Sequence, residues 1–381
     1  MDPIIIIGTG LAGYNTAKEF RKLDTTTPLV ILAADSGAFY SKPMLSNAVA
    51  SKKTAAAIAL NTAEQMAGQL QATVRAHTRV TAIDPAAHSL RIGDETLRYS
   101  KLVLALGADQ IRLPVNGNGA ADIITVNDLD EYAAFRERIE GRASVLIIGA
   151  GLIGSEFAND LGAGGYRIHV VDIAAQPLGR LLPPEGGALL RDKLAAIGVQ
   201  WHFGTSVESV DRAGTGYSVQ LKDGSTLTVD VVLSAVGLKP RTALAAAAGI
   251  AVNRGIVADR HLQTSAADVY ALGDCVEIEG LVMPYVMPIM HSARALAQTL
   301  AGKSARLSLP AMPVMVKTPA CPTIVSPPAA GAAGQWHSDA SSDGVKSLFT
   351  APDGRLLGFA LNGTATAERA KLAPQLPAVL P

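Results

Sequence analysis

Two six-residue glycine patterns are the residues of this chain best suited to chemistry. Gly8-Thr9-Gly10-Leu11-Ala12-Gly13 and Gly149-Ala150-Gly151-Leu152-Ile153-Gly154 both read G-x-G-x-x-G, and they start 141 positions apart. The spacing suits a dinucleotide. The first glycine permits a tight turn, the second lets the backbone approach a pyrophosphate, and the third allows a helix to pack closely on a strand. An acid closes each unit: Asp35 stands 27 positions after Gly8, and Asp172 stands 23 positions after Gly149. A carboxylate there accepts hydrogen bonds from a ribose diol and repels a 2′-phosphate. Asp172 is followed by Ile-Ala-Ala-Gln-Pro, without Arg or Lys, which favours NADH over NADPH at the second site. Asp35 stays open between ribose ligand and solvated loop acid, because a bend at Ala33-Ala34 would turn it to solvent.

A lone G-x-G-x-x-G also occurs as a packing turn, so its context decides. Pro3–Ile7 is a β-branched run, as a central parallel strand would be, and a helical segment follows from Tyr14 to Leu23. Leu29–Ala34 reads as the next strand. The second copy repeats the order, with a strand over Ala143–Ile148, a helix starting at Ser155 and a strand over Arg167–Val171. Two further strands end at glycines, Tyr99–Gly107 and Asp230–Gly237, where the chain is expected to cross between domains. A capped helix starts within Asn127–Glu131 and runs to about Glu140. The stretch Thr264–Cys275 holds a short strand that delivers Asp274 beside Gly273. Ala293, Leu296, Ala297 and Leu300 give an amphipathic helix, with Pro288 in its first turn. Residues 312–381 are Pro-rich with strand-like stretches such as Leu356–Leu361, and Ser326–Gly344 reads as a loop or linker. The expected fold class is α/β, with two Rossmann-like dinucleotide-binding domains and a small α+β C-terminal domain. The expected boundaries are 1–110 with 238–311, then 111–237, then 312–381.

Composition removes several other classes. Hydrophobic residues make up 49% and charged residues 17%, so the chain has a core to bury. Lys+Arg and Asp+Glu are each 33, which argues against bulk nucleic-acid binding and a polybasic membrane anchor. Aromatics are 4%, too few for base-stacking platforms. Two cysteines, Cys275 and Cys321, make no disulfide framework or zinc cage, and the seven histidines never fall at metal-ligand spacing, so no metal is expected. The MDPIIIIG start lacks a basic n-region, and no apolar run reaches 18 residues, so neither a signal peptide nor membrane insertion is expected. A cytoplasmic protein that relies on an organic cofactor is expected.

These motifs together resemble the two-dinucleotide-fold flavoprotein reductases, over residues 1 to about 305. The resemblance implies FAD on the first fold (Gly8, Thr9, Gly10, Leu11, Ala12, Gly13, Asp35, Lys42, Val80, Gly107, Gly273, Asp274, Val286) and NADH on the second (Gly149, Gly151, Gly154, Glu156, Asp172, Gly237). Asp274 would bond the ribityl or pyrophosphate region; the other reading is a turn-capping acid. The helix after Val286 would aim its positive end at the flavin pyrimidine edge, where reduced flavin carries negative charge; the other reading is plain packing. Disulfide reductases of this superfamily carry C-x-x-x-x-C after the first fingerprint. Here Phe39-Tyr-Ser-Lys42-Pro-Met-Leu-Ser46 has no cysteine and is similar to the ferredoxin-type segment, with Lys42-Pro43 in place of Arg-Pro.

The tail lacks the Phe-Trp-Ser-Asp stretch of oxygenase-type ferredoxin reductases. Met312-Pro-Val-Met-Val-Lys317-Thr-Pro-Ala-Cys-Pro322 resembles the third domain of rubredoxin–NAD reductases, with flavorubredoxin reductases close behind. The resemblance implies that Lys42 and Glu156 pair near flavin N5 as the catalytic neighbours, and that Lys317 approaches from the third domain. Spacing alone would make Lys317 a solvated surface lysine. His261 and His291 are given no role. The implied function is electron transfer from NADH through FAD, one electron at a time, to rubredoxin, a small acidic one-iron carrier steered by local Lys and Arg. Flavorubredoxin or ferredoxin is the alternative acceptor, and an NADH-sensing interaction module is a rival of another class.

Overall fold

The computed structural model describes residues 1–381. Ile4–Ile7 is buried at every position because it is the middle strand of a five-stranded parallel sheet. Leu29–Leu32 and then Thr73–Arg75 lie on one side of it, Lys101–Leu104 and then Val269–Ala271 on the other. A strand covered on both faces needs apolar residues throughout, which is why four isoleucines in a row suit this place. The helix Leu11–Arg21 packs beside the helix Val286–Leu300 on this sheet.

The second unit repeats the plan. Ser144–Ile148 is flanked by Arg167–Asp172 and Val231–Ser234, and Val199–Phe203 completes a four-stranded parallel sheet. Each unit adds a three-stranded antiparallel sheet, Ala82–Arg98 in the first and Val207–Val229 in the second. The chain passes between the units twice, along Ala108–Gln110 and Leu238–Pro240, and these two strands pair antiparallel.

The third unit is a five-stranded antiparallel sheet in the order Val314–Val316, Thr323–Ser326, Leu356–Gly363, Gly344–Thr350, Gln335–Ala340. The last strand corrects the loop expected over Ser326–Gly344. It sits at the sheet edge with mostly exposed side chains, so backbone pairing to Gly344–Thr350 creates it rather than an apolar pattern. Cys321 lies in the turn before Thr323–Ser326. The chain end returns to the first unit, where Leu380 bridges Leu309. The second unit's core is continuous with its neighbours: Val145, Phe157 and Leu161 share one apolar cluster with Leu45, Ala48 and Val49 of the first unit and with Val316, Cys321 and Val325 of the third.

Candidate functional site

A cavity of about 1590 Å³ is lined by all three units. Both glycine loops begin where a parallel strand ends and a helix starts. Gly8 has φ +118° and Gly149 has φ +105°, conformations that side chains resist. A Cβ at Gly13 would stand 1.9 Å from the Gly8 carbonyl oxygen, and one at Gly154 would stand 1.9 Å from that of Gly149, so the third glycines serve packing. The middle glycines differ. A Cβ at Gly10 or Gly151 would meet nothing within 4 Å. Each faces space that a diphosphate lying against the backbone would fill, so both loops fit a dinucleotide.

Three helix amino termini meet the cavity, at Leu11, Leu152 and Val286. None has a side-chain cap and none has an acid in its first turn, so their positive ends are left for a ligand. Gly8, Thr9, Gly10, Leu11, Ala12, Asp35, Lys42, Val80, Gly107, Glu156, Asp274, Val286 and Lys317 all line the cavity. Gly273 supports the first loop from behind, since a Cβ there would stand 2.8 Å from that of Ala12. Gly149, Gly151, Gly154, Asp172 and Gly237 lie beyond the lining, and the second loop reaches it through Leu152 and Ile153.

The two acids are partly engaged. Asp35 is exposed; its Oδ1 accepts the Gly37 N–H at 2.9 Å and the Thr9 hydroxyl at 3.3 Å, and Oδ2 has no protein donor. It therefore fixes the turn while keeping one oxygen free. Asp172 accepts the Ala150 N–H at 2.5 Å and the Ala174 N–H at 2.7 Å, so it braces the second glycine loop from the next strand.

The lysine pairing differs from expectation. Glu156 pairs with Lys317, not with Lys42. The Lys317 Nζ lies 2.7 Å from Glu156 Oε2, and the Lys317 backbone N–H donates to Oε1 at 3.0 Å. Ser46 Oγ donates to Oε2 at 2.5 Å. Glu156 is 1% exposed and these three bonds satisfy it from two neighbouring units. Lys42 makes no ion pair within 4 Å. Burial holds its ammonium below the usual lysine range, against the pull of Asp274, and burial raises the Asp274 carboxyl against the pull of Lys42. Lys42 thus answers to Asp274 across the cavity, and the third unit supplies the cation for Glu156.

Ser46, Tyr40, Arg79 and Arg241 also line the site and were not singled out from the sequence. Ser46 lies in the cysteine-free segment already noted, and Arg241 stands four positions after Gly237, where the strand expected over Asp230–Gly237 ends. Arg241 is held by Asp109 and by the Leu106 carbonyl oxygen at the crossover. Both cysteines are buried and unpaired, and burial pushes the Cys275 thiol up to about 11.

Comparison with known proteins agrees with this architecture. The family model of the pyridine nucleotide-disulphide oxidoreductases matches residues 2–298, and that of the rubredoxin binding C-terminal domain matches 306–376. The chain is 50% identical to a rubredoxin-NAD(+) reductase of Alcanivorax borkumensis over the full length of both. It is 40% identical to a nitric oxide reductase FlRd-NAD(+) reductase of Vibrio vulnificus, covering 95% of this chain and 94% of that one. A ferredoxin reductase for the CYP199A2 system from Rhodopseudomonas palustris superposes with a TM-score of 0.89 at 26% identity, over 100% of this chain and 96% of that one.

Proposed function

The chain belongs to the pyridine nucleotide-disulphide oxidoreductase family, and from that membership we propose an FAD-dependent reductase that carries electrons from NADH to rubredoxin. The observation that carries the acceptor is the third unit. Residues 306–376 match the rubredoxin-binding domain, and the same unit supplies Met315 and Lys317 to the cavity that the first glycine loop lines. FAD bound here would supply the redox chemistry that links a two-electron donor, NADH, to a one-electron carrier. The chain's own residues bind and orient. The Gly8–Gly13 loop and the amino terminus of Leu11–Arg21 would hold the diphosphate of FAD, with Asp35 Oδ2 on a ribose. Lys42 and Asp274 would lie against the flavin end, and the amino terminus at Val286 would offset negative charge there. Gly149–Gly154 and Asp172 would seat NADH, and Glu156 would hold Lys317 in place from the third unit.

The domain assignment follows: 1–110 with 238–311 for FAD, 111–237 for NADH, and 312–381 for the partner. No helix is long and apolar enough to cross a membrane, and we place the protein in the cytoplasm, where NADH is available and thiols stay reduced.

Rapid mixing of the reduced holoenzyme with oxidised rubredoxin, a flavorubredoxin and a ferredoxin tests the acceptor. Rubredoxin should reoxidise the flavin fastest; if it fails while a ferredoxin succeeds, the acceptor assignment is wrong. The coenzyme is tested through Asp172. Wild type should favour NADH over NADPH in kcat/KM by a few kcal/mol, on the order of one unpaired buried charge, and Asp172→Ala should lose that preference. Equal kcat/KM for both coenzymes in wild type would remove Asp172 from the site.

A further inference from the structure

The helix Leu152–Ala163 lies at the start of the second dinucleotide fold, and two polar side chains on it, Asn159 and Asp160, lie outside the cavity lining. Glu156, Asn159 and Asp160 fall at i, i+3 and i+4, on one helical face, and are 1%, 4% and 4% exposed. Polar groups buried this deeply persist only with partners. Asp160 finds its partners in the first unit: Oδ2 accepts the Val49 N–H at 2.7 Å and Oδ1 accepts the Ala50 N–H at 3.2 Å. Those amides lie three and four residues past the end of the turn Lys42–Ser46. Asn159 finds its partner in the third unit, where Oδ1 accepts the Ala320 N–H at 3.0 Å, three residues after Lys317. Glu156 stands between, taking Ser46 on one side and Lys317 on the other.

The apolar contacts here, among Leu45, Ala48, Val49, Phe157, Ala158 and Leu161, are non-directional. Such contacts set a distance but leave sliding cheap. A carboxylate that accepts from two successive amides sets position and orientation together, through charge-assisted hydrogen bonds. The side-chain oxygen of Asn159 ties the Lys317 loop through one neutral bond, from the Ala320 N–H. We propose that Asp160 and Asn159 are positioning residues with separate targets, Asp160 setting the Lys42 turn at the flavin and Asn159 setting the Lys317 loop at the face that meets the acceptor. The second-unit helix thereby holds the two lysines that approach one cavity from different units. The inference rests on the reading that FAD fills this cavity and that rubredoxin is the acceptor.

The test uses the full-length FAD-loaded protein carrying Asp160→Asn or Asn159→Ala. It reads the visible flavin spectrum, the rate of flavin reduction by NADH, and the rate of reoxidation by oxidised rubredoxin. Asp160→Asn should shift the flavin bands and slow reduction by NADH about tenfold, with reoxidation changed less than about twofold. Asn159→Ala should leave the spectrum and the NADH step in place and raise KM for rubredoxin about tenfold. Should Asp160→Asn fail to retain FAD, Asp160→Glu keeps the charge, displaces the carboxylate by one methylene, and is read against the same expectation. Equal losses in both half-reactions for both variants, or no change in any readout, overturn the proposal. If wild type itself is not reoxidised by rubredoxin, the acceptor reading fails. The Asp160 variant's spectrum and NADH step then decide this inference alone, and values equal to wild type overturn it.

Discussion

Taking the cation from a buried carboxylate is not equivalent to taking the carboxylate, and Glu156 lets the two be compared. Glu156 is 1% exposed at its side chain, whereas Lys317 is 34% exposed. Lys317→Met leaves a buried negative charge with only the Ser46 hydroxyl and one amide to hold it. Glu156→Gln leaves a lysine that can turn toward water. Lys317→Met should therefore cost about 2 kcal/mol of stability and Glu156→Gln less, because an uncompensated buried charge is the dearer defect. The double variant should be more stable than the two single costs predict. Urea unfolding of all four proteins checks this, and strictly additive costs would show that the pair is not coupled. The identity of this pair was not legible in the sequence. Lys42 and Lys317 are both lysines near the glycine units by resemblance, and which of them reaches Glu156 depends on how three units pack. The resemblance placed Lys42 on Glu156, and the structure puts Lys317 there instead.

The glycine units were readable because their periodicity and punctuation are local. Four apolar residues, a glycine turn and a helix state the same strand–turn–helix plan in each copy, and the two strands follow it to within one residue, whereas both helices begin three residues earlier than expected, at Leu11 and Leu152, inside the glycine pattern. Gln335–Ala340 was not readable because an edge strand needs only a backbone partner. The glycines of the first loop separate two roles that sequence alone merges. Gly13→Ala should prevent the native fold of the first unit, since its Cβ would stand 1.9 Å from the Gly8 carbonyl oxygen. Gly10→Ala should fold normally and lose FAD affinity, since that Cβ enters open space. Circular dichroism with FAD titration separates the outcomes; a Gly10→Ala protein with full FAD affinity would place the diphosphate elsewhere. A second element carries a pH response. On adjacent strands, His169 Nδ1 and His202 Nε2 lie 3.1 Å apart with their rings stacked. Burial lowers both pKa values; His202 and Arg167 lower that of His169 further, and Asp223 pulls that of His202 back up. A histidine titrates near 6.5 in the unfolded chain, so there the unfolded state binds protons that the folded state refuses. This contribution to stability is complete above about pH 6.5 and is lost as pH falls through the folded values. Denaturation midpoints should drop between pH 7.5 and 5.5, and His202→Gln should reduce that drop. An identical drop in the variant would assign it to other groups.

At the scale of the whole molecule the question is what brings an acidic carrier to the cavity. Steering by local Lys and Arg is one contribution, and the lining does hold Lys42, Arg79, Arg112, Lys239, Arg241, Lys317 and Arg369. It also holds Asp35, Asp109, Asp128, Asp130, Glu156 and Asp274, and the net charge of the chain is zero, so the basic excess around the cavity is small. The apolar contribution is less equivocal. Tyr285, Met287 and Met315 line the cavity while 37%, 48% and 61% exposed. Large apolar side chains left in water beside a site mark a surface that a partner covers, and each contributes roughly 1–2 kcal/mol when buried. Contact should therefore outweigh steering. Raising salt shrinks the Debye length from about 10 Å at 0.1 M to about 3 Å at 1 M, which weakens only the charge contribution. Flavin reoxidation by rubredoxin should slow by less than about threefold across that range, while flavin reduction by NADH changes less still. Met315→Glu removes apolar contact and adds a like charge against an acidic partner, so it should lower the reoxidation rate about tenfold at low salt, with salt restoring part of the loss. Stopped-flow measurement of both half-reactions over a salt series resolves the two contributions. If salt alone costs more than tenfold while Met315→Glu reacts like wild type, charge rather than the methionine face governs docking.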